Sequence, residues 1–297
     1  MKVPLIRFMP SKKYARTFVG ILILLLVIGT GIWLRALETA RSGQPGWLPW
    51  KTHATVTLYF KDGNFLFPVS RRLPNDQNLP LAVLQALQQT PREGTRLQTV
   101  IPSGIHIRSV TLENNVAHVG LSAWPNQPYA EIAIVDTITE LPGVTSVDFN
   151  IAGEAYGART KRIPLLYFAS AKGLVSIPAK VATPREMLDM YLSGPPAPDL
   201  TGLPPDVRLL AYDYSGARNA LSLKFSYTPS LRALATERPD RMRTALLGLI
   251  ATLTQFPEVR TVQLDFGGQS RLGLGQCSDL LRTPQTRPAL LNDERLL

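Results

Sequence analysis

The chain repeats itself. Leu58-Tyr59-Phe60 returns as Leu166-Tyr167-Phe168 about 108 residues later, each followed by a short polar turn and an apolar stretch ending at Pro68 or Pro178. Ile101-Pro102 is echoed by Leu203-Pro204, and the alternating run from Val116 to Ser122 by the run from Ala220 to Ser226, in the same order. The segment from Ile138 to Val144 matches that from Leu253 to Val259, and Gly153 matches Gly268, both at an offset of 115. An ordered internal repeat constrains the fold more than composition does, because both copies must build the same structure. It predicts two homologous domains, at residues 54–155 and 156–270.

Within the first copy, Thr55 to Phe60 and Phe65 to Val69 read as a hairpin around Lys61-Asp62-Gly63-Asn64, with Pro68 pointing to an edge strand. Apolar residues at Leu81, Val83, Leu84 and Leu87 follow the helical period from Leu79 to Gln89, with Pro80 in the first turn. Ile107 to Leu112 and Val116 to Leu121 flank Glu113-Asn114-Asn115, a second hairpin. Ile132, Val135, Ile138 and Thr139 continue a helical stripe that stops at Leu141-Pro142-Gly143, before a strand from Val144 to Ile151. The order ββαββαβ recurs in the second copy, with helices from Pro184 to Leu192 and from about Asp240 to Phe256. The expected class is α+β, each copy a mixed or antiparallel sheet packed by two helices.

In this order the segments resemble the GerM-type (GerMN) domain of sporulation and spore-germination proteins. The residues that carry the resemblance are Tyr59 and Phe60, Pro102, and Thr137, Pro142 and Val144 in copy one. Copy two carries it at Tyr167 and Phe168, Gly194 and Pro195, Pro204, and Thr252, Pro257 and Val259. Copy one departs from the pattern at Leu87-Gln88-Gln89-Thr90-Pro91, where a Gly-Pro pair is expected. The resemblance implies a non-enzymatic, cofactor-free envelope protein, similar in fold to modules that build rings and stabilise complexes between the two membranes of a developing spore.

Net charge is +10, but Lys2, Arg7, Lys12, Lys13 and Arg16 all precede the first apolar run, so the remainder carries only +5. That distribution argues against a nucleic-acid binder, whose charge belongs on the folded domain. The run itself includes Phe18, Ile21, Leu24, Leu25, Val27, Ile28, Ile32, Trp33 and Leu34 and contains no charge, a transmembrane helix over 18–35. Lys12, Lys13 and Arg16 then hold residues 1–17 in the cytoplasm and place the bulk of the chain outside it, in a single-pass arrangement. A signal-peptide cleavage site near Ala40 is disfavoured by Glu38, and no cysteine follows the run to carry a lipid, so the helix is the expected anchor. Residues 36–53, with Gly43, Pro45, Gly46 and Pro49, read as a linker, and residues 271–297 as an extended or disordered tail.

Chemistry-bearing residues are scattered. His106 and His118 fall too far apart along the central hairpin to share a metal, and the lone Cys277 has no histidine near it in sequence. Asp136 and Glu140 share one face of a helix near Glu131, where a solvated face is expected rather than an acid/base pair across a cleft. Gly267-Gly268 through Gly275 lacks the Gly-Lys-Ser/Thr of a phosphate loop and reads as a linker. Arg232, Arg238, Arg241 and Arg243 read as a solvated loop and helix start. The leading expectation is therefore an envelope scaffold whose partners are other exported or membrane proteins, with the membrane bound through the anchor and no nucleic acid. A protein binding a cell-wall glycan or small molecule comes second, and a carbohydrate-active enzyme third.

Overall fold

A computed structural model describes residues 53–75, 78–91, 94–267 and 274–297. The anchor, the basic tail and all but the last residue of the linker expected from sequence lie outside these residues, as does most of the glycine-rich stretch. Among the described residues no helix is long and apolar enough to cross a membrane. Residues from His53 to Leu297 form one compact α+β unit containing both copies.

The opening hairpin is β1 (His53–Asp62) and β2 (Phe65–Pro74), longer than the apolar pattern suggests and closed at Gly63-Asn64. Helix α1 (Leu79–Gln88) follows, then β3 (Ile107–Glu113), β4 (Val116–Leu121), α2 (Ala130–Thr139), β5 (Ser146–Ile151) and β6 (Glu154–Lys161). Copy two runs β7 (Leu165–Ala169), β8 (Leu174–Pro178), α3 (Pro184–Leu192), β9 (Leu209–Ser215), β10 (Ala220–Phe225), α4 (Pro229–Glu237), α5 (Pro239–Leu253) and β11 (Thr261–Phe266). Asn114 and Asn115 both take positive φ, as the β3–β4 hairpin requires, and Thr111 pairs with His118.

The sheets are not one per copy. The opening hairpins of both copies join in a single four-stranded sheet of order β1-β2-β8-β7, and each copy keeps a separate mixed sheet, β3-β4-β5-β6 in the first and β11-β10-β9 in the second. Strand β6 pairs with β5, so copy one extends to Lys161 rather than ending at 155. Pro68 is not on an edge: β2 lies between β1 and β8. The two inner strands pair only at Leu66 and Ser176. Beyond that point the Asn292 side chain fills the gap, receiving Leu174 N–H at 2.8 Å and donating to Pro68 O and Leu174 O at 2.6 and 2.8 Å. A proline is tolerated because an asparagine, not a strand, meets it there.

The outer strands end on the helices in the same way in each copy. Tyr59 N–H donates to Thr137 Oγ1 at 3.1 Å, and Tyr167 N–H to Thr252 Oγ1 at 3.0 Å. Both threonines are buried, so each caps an edge-strand donor that water cannot reach. The repeated prolines also act alike: Ile105 N–H bonds Pro102 O, and Val207 N–H bonds Pro204 O, both at 3.0 Å. Val144 and Val259 are buried behind the helix ends. Gly194 follows the C-cap of α3 at φ +97°, a conformation that favours glycine, and its N–H bonds Tyr191 O at 3.2 Å. Copy one needs no glycine there because Gln89 leaves α1 in extended conformation.

One expectation is extended and another corrected. The helix expected from about Asp240 to Phe256 is present as α5, and a helix not expected, α4, precedes it; the two are separated at Arg238, because the following Pro239 has no N–H to donate and forces its predecessor out of the helical region. Residues 274–297, expected extended or disordered, carry α6 (Ser278–Arg282), a bridge from Gln285 to Val262 and another from Asp293 to Ser70. Arg71 holds this segment by a two-pronged ion pair with Glu294 at 2.6 and 2.7 Å. Its order rests on such polar contacts and on buried Leu280, Leu281 and Leu291, too sparse to give a period.

Helix α5 approaches the shared sheet through Gly248, where a Cβ would lie 2.5 Å from Tyr167 O. Alanine raises helix propensity by about 1 kcal/mol, but the backbone must move to admit it, at a cost of roughly 2–3 kcal/mol. Gly248→Ala is therefore expected to lower unfolding stability by roughly 1–2 kcal/mol in a denaturant titration, where an exposed helix glycine would gain.

Candidate functional site

The strongest concentration of polar chemistry lies between the copies. Tyr59 from β1 and Tyr167 from β7, matched residues of the repeat, meet hydroxyl to hydroxyl at 2.7 Å, fully buried. Tyr59 O–H also reaches Glu140 Oε1 at 2.9 Å. Since a hydroxyl has one proton, Tyr59 gives its own to the carboxylate and accepts from Tyr167. Arg162, on the segment entering β7, donates from Nη2 to Glu140 Oε1 at 2.6 Å, Tyr59 Oη at 3.0 Å and Tyr167 Oη at 3.4 Å. Arg287, from the C-terminal segment, donates from Nη2 to the same Glu140 oxygen at 2.6 Å and to Tyr167 Oη at 3.3 Å, its guanidinium 5.8 Å from the Tyr167 ring centre.

Glu140 is thus the common acceptor of both copies and of the C-terminal segment. Burial opposes its charge, but Arg162 and Arg287 outweigh it and hold the carboxyl below its ordinary range, helped by the bond from Tyr59. Tyr59 is pushed well above the ordinary phenol value by burial and by Glu140, so it remains a donor. Asp136, one turn earlier in α2, is also buried, with Arg162 Nε 3.6 Å from Oδ1. The expectation of a solvated face for Asp136 and Glu140 is corrected. Helix α2 is covered on that side by residues from copy two and the C-terminal segment, which a helical period within α2 cannot reveal.

Other candidates lie elsewhere. His118 stands 3.6 Å from Asp148, which Arg159 clamps with two bonds of 2.9 and 2.8 Å on the exposed side of β5 and β6. His106 is exposed, giving its backbone N–H to Ser122 Oγ at 2.8 Å. Glu131 accepts from Thr160 Oγ1 at 2.9 Å. Cys277 is buried, and burial pushes its thiol up to about 11, so it is not poised to ionise. Arg243 leaves the basic stretch to form a two-pronged pair with Asp279 at 2.7 and 2.8 Å. Among the described residues no group of three or more His, Cys, Asp or Glu is placed to hold a metal ion. Arg162, Arg287 and Asn292 were not singled out by sequence; each is a single polar residue in a segment without periodicity.

The sheet edges differ in their protection. Strand β6 carries Glu154, Arg159 and Lys161 and is broken out of register between Val147 and Phe149 of its neighbour, features that discourage pairing. The outer side of β11 is bridged by Gln285. Strand β9, with Asp213 its one charged residue, leaves Leu210 57% and Tyr214 45% exposed.

Comparison with known proteins places this arrangement. The family model described as sporulation and spore germination (Germane) matches residues 57–157 and 165–271, more than half of the chain. The tandem GerMN domains of the sporulation protein GerM from Bacillus subtilis superpose with a TM-score of 0.62 at 15% identity, covering 81% of this chain and 99% of that one. A putative lipoprotein from Clostridium perfringens aligns at 19% identity over 38% of this chain and 89% of its own, with a TM-score of 0.26. The first GerMN domain of the same Bacillus subtilis protein aligns at 19% identity over 35% and 86%, with a TM-score of 0.29. No curated protein sequence matches significantly.

The two carboxyl groups of the junction have opposite consequences for stability, and Glu140 gives the acid limb. Its folded-state pKa is depressed, so its contribution is full above the ordinary carboxyl value near 4.5 and is lost as pH falls through the lower folded value. Glu140→Gln leaves two partly buried guanidinium groups without a counter-charge and is expected to cost roughly 3–5 kcal/mol at pH 6. Unfolding curves between pH 6 and pH 3 are the check, in units of about one pH step: the wild type loses stability across this range through Glu140, and the glutamine variant lacks that part of the loss.

Proposed function

The chain belongs to the sporulation and spore germination family, and from that premise we propose that it is a non-enzymatic scaffold of the bacterial envelope that holds a multiprotein complex together. The observation that carries the reading is the edge of β9, which pairs only with β10 among the described residues and whose exposed Leu210 and Tyr214 suit addition of a strand from another protein. The partners in this reading are exported domains or membrane proteins. The apolar run at residues 18–35, behind its basic flank, supports a single-pass anchor that keeps the tandem unit outside the cytoplasm. Of the two acids that most resembled an acid/base pair, Glu140 is occupied in binding the copies together and Asp136 is fully buried beside it, which favours a scaffold over a wall-degrading enzyme.

A glycan-binding alternative has one observation of its own, the Trp124 and Tyr156 rings stacked at 4.7 Å with Tyr156 43% exposed. The experiment that separates the two uses the full-length protein in cells, with a photoreactive residue at Asp213, exposed on the same strand. Crosslinks to a recurrent envelope partner are expected, and Leu210→Lys combined with Tyr214→Lys is expected to abolish them while the fold is kept, the one internal bond lost being the exposed one from Tyr214 Oη to Glu258 O. Crosslinks that persist in the double variant contradict the β9 reading. Retention on purified cell-wall glycan that is lost in Trp124→Ala supports the alternative.

A further inference from the structure

Asp136 stands apart from its neighbours in the junction. Its side chain is 0% exposed, and neither carboxylate oxygen has a hydrogen-bond partner. The groups facing it are Glu140 on its own helix, Arg162 on the segment entering β7, and Arg287 on the C-terminal segment. From β1, Tyr59 is committed to Glu140. Arg162 Nε, 3.6 Å from Asp136 Oδ1, is too distant for a hydrogen bond and is also without one, because Nη2 of the same guanidinium is drawn to Glu140 at 2.6 Å. One guanidinium cannot fully serve both carboxylates from this position. An ionised Asp136 is a buried charge without hydrogen bonds, whereas a protonated one is neutral and far less costly to bury.

The fold itself does not ask for an acid here. In copy two, Thr252 takes the place of Thr137 and makes the same bond to its tyrosine, and the residue before it is Ala251, fully buried. The same helix position against the same strand is therefore filled by a small apolar side chain in one copy and by a carboxyl in the other. Glu140 is likewise matched by Gln255, which bonds the Leu165 backbone through both ends of its amide, at 2.7 and 2.8 Å. The charge is a property of the junction, not of the repeat.

We propose that Asp136 makes the junction between the copies a proton-operated latch, closed while the carboxyl is protonated and loosened when its ionisation draws Arg162 away from Glu140. Arg287 is then left as the remaining guanidinium on that Glu140 oxygen, so the loosening falls on the segment that carries Arg162 and enters β7. Burial supports this direction, pushing Asp136 up to about 7 against the pull of Arg162. The sign is opposite to that of Glu140. The folded state keeps a proton that the unfolded chain releases near pH 4, so this contribution is full below about pH 4 and is lost as pH rises toward 7.

Two measurements on the full-length protein test the latch. The first is carbon-13 NMR of the aspartate carboxyl groups from pH 4 to 9, in which the Asp136 resonance is expected to titrate near neutrality. A midpoint below about 5, or no titration in this range, overturns the proposal. The second is hydrogen exchange at pH 5.5 and 8.5, corrected for intrinsic rates. Opening of β7 is expected to rise about tenfold at the higher pH in the wild type and to stay constant in Asp136→Asn, which mimics the protonated acid. An Asn variant that follows the wild-type pH response overturns the proposal. Should Asn fail to fold, Asp136→Ala, the side chain copy two carries, takes its place.

Discussion

One carboxylate oxygen, Oε1 of Glu140, receives a phenol from copy one, a guanidinium from the segment entering copy two and a guanidinium from the C-terminal segment. Three stretches of chain more than twenty residues apart in sequence thus converge on a single acceptor. A buried ion pair is not stabilising by default, because desolvating its charges costs several kcal/mol. Here the cost is offset by the number and shortness of the charge-assisted bonds, and the arrangement admits one relative placement of the copies. The four-stranded sheet is the second contact between the copies. With only Leu66 and Ser176 pairing its two inner strands, the sheet depends on Asn292 and on the junction to keep the hairpins together.

The consequence for function is that the tandem repeat is one body and not two beads. On the scaffold proposal, the β9 edge of copy two is held in fixed register with copy one, so that a partner bound at one end is oriented relative to the other. An isolated copy would expose half of the shared sheet and leave a tyrosine hydroxyl without its buried partner. Copies that carry the same motif have in this way diverged at the few positions where they touch: Asp136 and Glu140 bring carboxyl groups to the junction, while Ala251 brings only a methyl group and Gln255 bonds within its own copy.

Much of the local structure is legible in the sequence because it is set by neighbours. Asn114-Asn115 dictates its hairpin, Pro184 to Leu192 its helix, and the repeated Tyr, Thr and Pro positions mark places where the fold makes the same bond twice. What is not legible is set by distant residues. Thr137 is visible as a repeated residue, but not as the cap of a strand 78 residues earlier. Asp136 and Glu140 fall on the polar side of a helical stripe, and only the arrival of Tyr59, Arg162 and Arg287 turns that side inward. The C-terminal segment is held by single side chains such as Asn292, for which hydrophobic periodicity has no signal.

The central claim, that both copies fold as one cooperative unit through this junction, is tested most directly by following their unfolding separately. Hydrogen exchange measured by mass spectrometry across a denaturant series reads β3 to β5 of copy one and β9 to β11 of copy two in the same sample. A single coincident transition at both sites is the expected result. Two separated transitions, with one copy unfolding while the other stays protected, would contradict it.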